Sequence, residues 1–211
     1  MILAYKDLEK AWKSRRIRFD PEINVSQIGL SSIDLRLGMT CTKLKEIPGT
    51  IVQPARSFDP TNLVENVDFS NRNPLGQTPA FRLKPREFRL AFTRENITVP
   101  HNLAASVQGK SSLARAGLGV HITAPHIHPG FSGPITLELY NHGPWELELV
   151  PGEDLVCQVI YYSVKSAVSK RVAVALGTYL DQEAPFPVRR AGRPDARPTS
   201  RSKRQGKTKS R

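Results

Sequence analysis

Gln108, Gly109, Lys110, Ser111, Ser112, Leu113, Ala114 and Arg115 are consecutive, so one glycine, two cations and two hydroxyls fall within eight positions. A glycine admits close backbone approach, hydroxyls donate hydrogen bonds, and Lys and Arg offer positive charge. Together these groups suit a phosphate. The segment is not a Walker A loop, because the GxxxxGK[ST] spacing is absent. Further on, Ile135, Thr136, Leu137, Glu138 and Leu139 put one carboxylate inside an apolar, strand-like run. Alternation sets Ile135, Leu137 and Leu139 on a core face and Thr136, Glu138 and Tyr140 on the other. On the residues alone, Glu138 is either an exposed carboxylate on a sheet surface or a partly buried one. Burial raises a carboxylate's pKa, so the second kind can take a proton from water and pass it to a leaving amine.

His121, His126 and His128 lie close in sequence, and His126 and His128 share a face if their segment is extended. A third and a fourth metal ligand are not evident beside them. Zinc-dependent nucleobase deaminases carry HxE and PCxxC motifs, and neither occurs here.

The elements that must position these groups read as mostly β. Residues from Tyr5 to Arg16 predict a short amphipathic helix, with Leu8 and Trp12 at i, i+4 beside Ala4 and Ala11. Ser32 to Leu37 alternates until Gly38 breaks the pattern. Phe81 to Leu83 and Phe88 to Phe92 alternate around a turn at Lys84–Glu87. Pro134 to Tyr140, Glu146 to Val150 and Leu155 to Val164 are further strands, the last two joined by a Pro151–Gly152 turn. Residues 53–79 predict a long irregular loop. Many short strands parted by Gly and Pro turns predict an all-β barrel or sandwich with a short N-terminal helix.

The 211 residues carry a formal charge of +12, but residues 189–211 hold ten Lys or Arg and one acid, Asp195. The body is therefore near neutral, and the basic character belongs to a tail with almost no large apolar residue after Val188. Such a tail cannot offset its ordering entropy and is expected to be disordered, with nonspecific polyanion contact as its sharper reading. The expected organisation is a domain over residues 1–188 and a tail over 189–211. Cys41 and Cys157 stand far apart with no CxxC pair, no run approaches a membrane span, and no signal-peptide pattern opens the chain, so a cytoplasmic protein is expected.

In order, Gly109–Arg115, Gly119–Ala124, Pro129–Gly133 and Leu137–Asn141 resemble the motifs of the dCTP deaminase family, in the dUTPase-like superfamily. Pro151–Gly152 and Gln158 follow, and Ser32–Gly38 upstream resembles the family's N-terminal motif. The resemblance spans roughly residues 1–185. It implies a distorted β-barrel of the dUTPase-like (β-clip) type assembled as a homotrimer with active sites between subunits. It also implies zinc-independent deamination of dCTP to dUTP and ammonia, feeding dUMP and thymidylate synthesis. By the same resemblance Glu138 is the general base and proton shuttle, and Ser111 and the Ala124 backbone hold the attacking water. Arg115 stabilises the site and reaches the substrate. Lys110, Ser112 and the backbone near Leu113 and Ala114 bind the triphosphate, with Mg²⁺ bridging its oxygens. Gln158 contacts the nucleotide, the backbone at Thr136 and Leu137 reads the base edge, and Gln182 belongs to a C-terminal lid.

Two departures bear on the expected activity. The family usually has Asp at the position of His128, near the deoxyribose, and tends to have Arg at that of His126. An imidazole at position 128 can still bond a 3′-hydroxyl, but it matches a carboxylate's water-activating role less well. In the lid, Tyr179 and Gln182 remain, while Thr178 and Ala184 replace Lys and Gly. Alternatives are a bifunctional enzyme that also releases pyrophosphate to give dUMP, or a non-catalytic nucleotide-binding relative.

Overall fold

A computed structural model of the chain describes residues 1–52 and 62–176. Thr178, Tyr179, Gln182, Ala184 and the basic tail lie outside the described residues. The expected N-terminal helix is α1 (Tyr5–Lys13). Leu8 and Ala11 are buried, and Trp12 packs partly against the core, as the i, i+3, i+4 spacing requires. Asp7 sits in its first turn and Lys10 and Lys13 in its last, the order the helix dipole favours. The helix stops three residues before the predicted end, and Arg15 takes φ 59 just beyond its cap.

Eleven strands follow: β1 (Arg18–Asp20), β2 (Ile33–Leu44), β3 (Val64–Asp68), β4 (Phe81–Leu83), β5 (Phe88–Thr98), β6 (Leu103–Gly109), β7 (Leu118–Gly119), β8 (His126–Ile127), β9 (Ser132–Asn141), β10 (Leu147–Leu149) and β11 (Leu155–Ser163). Two helices interrupt or end the series, α2 (Ser111–Arg115) and α3 (Lys170–Leu176). The main sheet runs β7-β9-β5-β2-β11-β6-β8, with β1 added on β5 and β3 on β2, while β10 and β4 form a separate pair. Each of these pairings is antiparallel. The all-β class with one short N-terminal helix is thus the observed one, and the main sheet curls around a single core. Leu8, Ile33, Leu35, Leu83, Ile97, Leu103, Leu137, Leu139 and Val159 are fully buried in it.

Among the differences from the expected elements, three bear on how the sheet is built. Gly38 does not end its strand, because β2 runs through it to Leu44. A Cβ there would lie 2.7 Å from the Phe92 carbonyl oxygen, so glycine lets β2 and β5 approach where their register shifts. The predicted loop over 53–79 contains β3, which pairs with β2 from Val64 to Asp68. Most of its residues are exposed, so no alternating pattern marks it. β6 was not predicted at all: Leu103 to Val107 are all buried, and a strand covered on both faces has no alternation to read.

The register shift in β5 encloses the most deeply buried charge. Glu95 is fully buried. One of its carboxylate oxygens accepts from the Arg36 backbone N–H at 2.9 Å, the other from Arg36 Nε at 2.7 Å and from Gln27 Nε2 at 3.4 Å. A buried carboxylate is tolerated only when its lone pairs are met in this way. Replacing Glu95 by Ala leaves the guanidinium and the amide without partners. We expect a loss of about 3–5 kcal/mol in denaturant unfolding at fixed protein concentration; a variant that melts with the wild type would refute the role of this pair.

Candidate active site

Glu138 lies on β9, on the face opposite Ile135, Leu137 and Leu139, which are 5%, 0% and 0% exposed. The alternation expected from sequence is therefore the observed one, and Glu138 is half-buried rather than free on the surface. Its backbone N–H donates to Val120 O at 2.9 Å, and its Oε2 accepts from the Ile122 N–H at 2.7 Å. No other hydrogen bond holds this carboxylate among the described residues. One oxygen is thus fixed by an amide while the other is left to meet a solvent molecule or ligand. Thr136, two residues away on the same face, has a buried hydroxyl with no partner.

The Gly-Lys-Ser-Ser segment is not a loop throughout. Ser111 to Arg115 form α2, with Lys110 at its N-cap and the Ala114 N–H donating to Lys110 O at 2.8 Å. Ser111, Ser112, Ala114 and Arg115 are exposed, and Leu113 packs on the core. Gly117, at φ 100, turns the chain out of α2; a Cβ there would lie 2.4 Å from the Gly143 nitrogen. Buried Asn141 fixes the facing turn, donating to Leu83 O and Trp145 O and accepting from the Gly143 N–H. This close packing pins α2 to the end of the strand that carries Glu138.

A row of polar side chains links the two motifs. Asp34, Gln158 and Gln108 sit side by side on β2, β11 and β6. Ser32 Oγ donates to Gln158 Oε1 at 2.7 Å, and Gln158 Nε2 donates to Gly109 O at 2.9 Å. Lys110 Nζ forms an ion pair with Asp34. At the far end His121 Nε2 lies 3.4 Å from Gln108 Oε1, and His121 adjoins the Ile122 amide that holds Glu138. Gln158, foreseen as a nucleotide contact, here orients the turn before Ser111. The roles of Ser32, Asp34 and Gln108 were not foreseen. Alternation in Ser32–Leu37 places Ser32, Asp34 and Arg36 on one face, so the signal was present, but their partners come from distant strands.

Ala124 is exposed on the loop after Ile122. His126 and His128 stack edge to face with ring centroids 4.7 Å apart. Partial desolvation, with the neighbouring His126, lowers the His128 pKa from its usual value. Among the described residues no three His, Cys, Asp or Glu side chains gather to hold a metal ion. None of their helices is long and apolar enough to cross a membrane. Burial raises the Cys41 thiol to about 12 and pushes the Cys157 thiol up as well, so neither is a poised nucleophile.

Within one protomer the groups therefore fall in three places. Glu138 meets the Val120–Ile122 backbone; Lys110, Asp34 and Gln158 surround the start of α2; and the two histidines stand on the β8 edge. No hydrogen bond links Ser111, Ser112 or Arg115 to Glu138 in the same chain among the described residues.

A family model described as dCTP deaminase-like matches residues 2–164. A Methanosphaera stadtmanae protein named "dCTP deaminase, dUMP-forming" is 37% identical over 169 residues, covering 80% of this chain and 82% of that protein. A Rhodospirillum rubrum protein named "dCTP deaminase" is 35% identical over 195 residues, covering 90% and 97%. Among solved structures, the 2′-deoxycytidine 5′-triphosphate deaminase of Agrobacterium tumefaciens superposes with a TM-score of 0.58 at 19% identity. That match covers 83% of this chain and half of the other, and it supports the shared fold. A match over most of the chain, with the ordered motifs on β2, α2, β9 and β11, makes this chain a member of the dCTP deaminase-like family.

Proposed function

We propose that this chain hydrolyses dCTP to dUTP and ammonia without zinc. The observation that carries the reading is the Glu138 carboxylate: half-buried, fixed through one oxygen by the Ile122 amide, and facing the same side as the unpaired Thr136 hydroxyl. In this reading Glu138 takes a proton from a water that attacks C4 of cytosine. The tetrahedral adduct gains a proton at N3, and the amine leaves as ammonia after a further transfer through the same carboxylate. Ser111 and the Ala124 backbone orient the water, and Arg115 offsets charge that develops in the adduct. The Thr136 and Leu137 backbone meets the base edge, and His128 bonds the deoxyribose hydroxyl. The triphosphate lies along Ser112 and the amide of Leu113, the Ala114 amide being held by the Lys110 carbonyl. Mg²⁺ would enter with the triphosphate as part of the substrate and would supply charge neutralisation there.

We place each site between copies of the chain in a homotrimer. In support, Ser111 and Arg115 are exposed and make no hydrogen bond to Glu138 of their own protomer among the described residues, and Ile122 beside Glu138 is 60% exposed although apolar. A protomer that offers two half-sites on different surfaces completes them by symmetric association.

A second reading is favoured by the name of the Methanosphaera relative: deamination followed by pyrophosphate release, giving dUMP. Residues 124–130 contain no carboxylate, only His126 and His128, which argues for dUTP as the product.

Ammonia and pyrophosphate are measured together on purified protein with dCTP and Mg²⁺. Ammonia without pyrophosphate is expected; stoichiometric pyrophosphate would replace dUTP by dUMP as the product, and no ammonia would remove the deaminase reading. His128→Asp should then gain pyrophosphate release if position 128 governs the second hydrolysis.

Glu138→Gln is expected to lower kcat by about a thousand-fold, within the range of a lost general base, while dCTP binding and trimer size persist. Retained turnover would take Glu138 out of the mechanism.

Subunit sharing is tested by co-refolding Ser111→Ala with Glu138→Gln. Random trimers should recover about a quarter of wild-type activity, because one site in four pairs an intact serine with an intact glutamate from the neighbouring copy. Mixtures as inactive as the parents would place both groups in one chain.

A further inference from the structure

We infer that Thr136 is a positioning residue for the reaction: through one bridging water its hydroxyl holds the free oxygen of Glu138, so that the carboxylate is fixed at both ends. This rests on the deaminase reading and deepens it. Glu138 Oε2 accepts from the Ile122 N–H at 2.7 Å, and a carboxylate held through one oxygen alone can still pivot about it. The Thr136 hydroxyl is buried and has no hydrogen-bond partner among the described residues. Leaving such a group unpaired costs free energy, so its surroundings show where its partner belongs.

Those surroundings narrow to one direction. Alternation puts Pro134, Thr136 and Glu138 on one face of β9. Across the sheet, Phe92 stands opposite Thr136 and Leu90 opposite Glu138. Of these neighbours only Glu138 carries a polar side chain. Residues two apart on a strand stand about 6.7 Å apart, too far for a direct bond between parallel side chains. A single water making two bonds of about 2.8 Å spans that gap, and it has the two polar partners that a held water needs at the least. Phe92 and Leu90 wall the place on the β5 side. On the other side Gly119 of β7 lies opposite Tyr140, and Val120 O accepts the Glu138 N–H, so the chain follows β9 from there to Ile122. The hydroxyl donates to the water, the water donates to the carboxylate, and the oxygen keeps a second lone pair for the attacking water. A proton acceptor restrained in this way stays aligned with the water it must deprotonate.

The test uses full-length protein, with trimer size checked for each variant. Thr136→Val removes the hydroxyl and keeps the branched shape. Its kcat should fall about tenfold with KM for dCTP within about twofold, and Thr136→Ser, which keeps the hydroxyl, should retain most of kcat. Unchanged kcat overturns the bridge. So does a serine variant as slow as the valine one, which marks a packing effect of the methyl group. A raised KM at constant kcat also overturns it, because the hydroxyl would then meet the substrate. Should Thr136→Val fail to fold, Thr136→Ala is judged by the same outcomes. Two further arms need no turnover. Hydrogen exchange at the Ile122 amide of free protein should be several-fold faster in Thr136→Val than in the wild type, with Glu138→Ala marking the rate of a released amide; equal exchange in wild type and Thr136→Val sinks the bridge even in a competent deaminase. Melting is the second arm. Exchanging an orphaned hydroxyl for a methyl group stabilises a fold, whereas exchanging one that holds a water does not. An equal or lower melting temperature is expected for Thr136→Val, and a raised one refutes the held water. Wild-type protein that releases no ammonia, while its Thr136→Val variant shows the faster exchange, defeats the deaminase reading and leaves the coupling of Thr136 to Glu138 established.

Discussion

The buried carboxylate of Glu95 is the constraint from which the site geometry follows. An ionised group removed from water is stable only where donors replace its hydration. Here Arg36 supplies a backbone and a side-chain donor, and Gln27 supplies a third. All three donors lie in the chain before β3, so β2 and β5 can pair in one register only. The same residue reaches β9: the Thr93 hydroxyl donates to the Glu95 carbonyl at 2.8 Å and accepts from the Ile135 N–H at 2.9 Å. Ile135 stands three residues before Glu138, and Gln27 holds the carbonyl of Asp34. One buried charge thus sets both the strand that presents the proposed base and the strand that anchors the turn before Ser111. A purely apolar core of equal volume would let these strands slide, because apolar contacts are not directional.

Much of this was legible in the sequence, and what was not has physical reasons. Amphipathic elements announced themselves. Leu8 and Trp12 marked α1, and Ile135, Leu137 and Leu139 marked the core face of β9, leaving Glu138 on the opposite side. β6 gave no such signal because both its faces are covered, and β3 gave none because it is mostly exposed at the sheet edge. Gly38 misled, since glycine usually punctuates a strand; here it relieves contact with the Phe92 carbonyl inside one. The motifs themselves were readable as an ordered set. Their partners were not: Lys110 reads as a free cation in its own segment, and only folding brings Asp34, 76 positions away, against it. Pairing of that kind depends on register across β2, β11 and β6, which no local pattern encodes.

The same distinction bears on how one carboxylate could serve a nucleotide with two hydrolysable ends. Attack at C4 of the base and attack at the α-phosphorus occur on opposite sides of the deoxyribose, so Glu138 cannot activate both waters without moving. A second hydrolysis needs a second base. The only titratable groups in residues 124–130 are imidazoles, and partial desolvation and His126 both disfavour the His128 cation. An anion held beside an imidazole stabilises its cation, and one held beside a carboxylate stabilises its acid, so a triphosphate placed there would deplete the free base in either case. An imidazole at position 128 therefore gives a phosphate-directed base no advantage over a carboxylate, which leaves residues 124–130 without a group suited to a second hydrolysis.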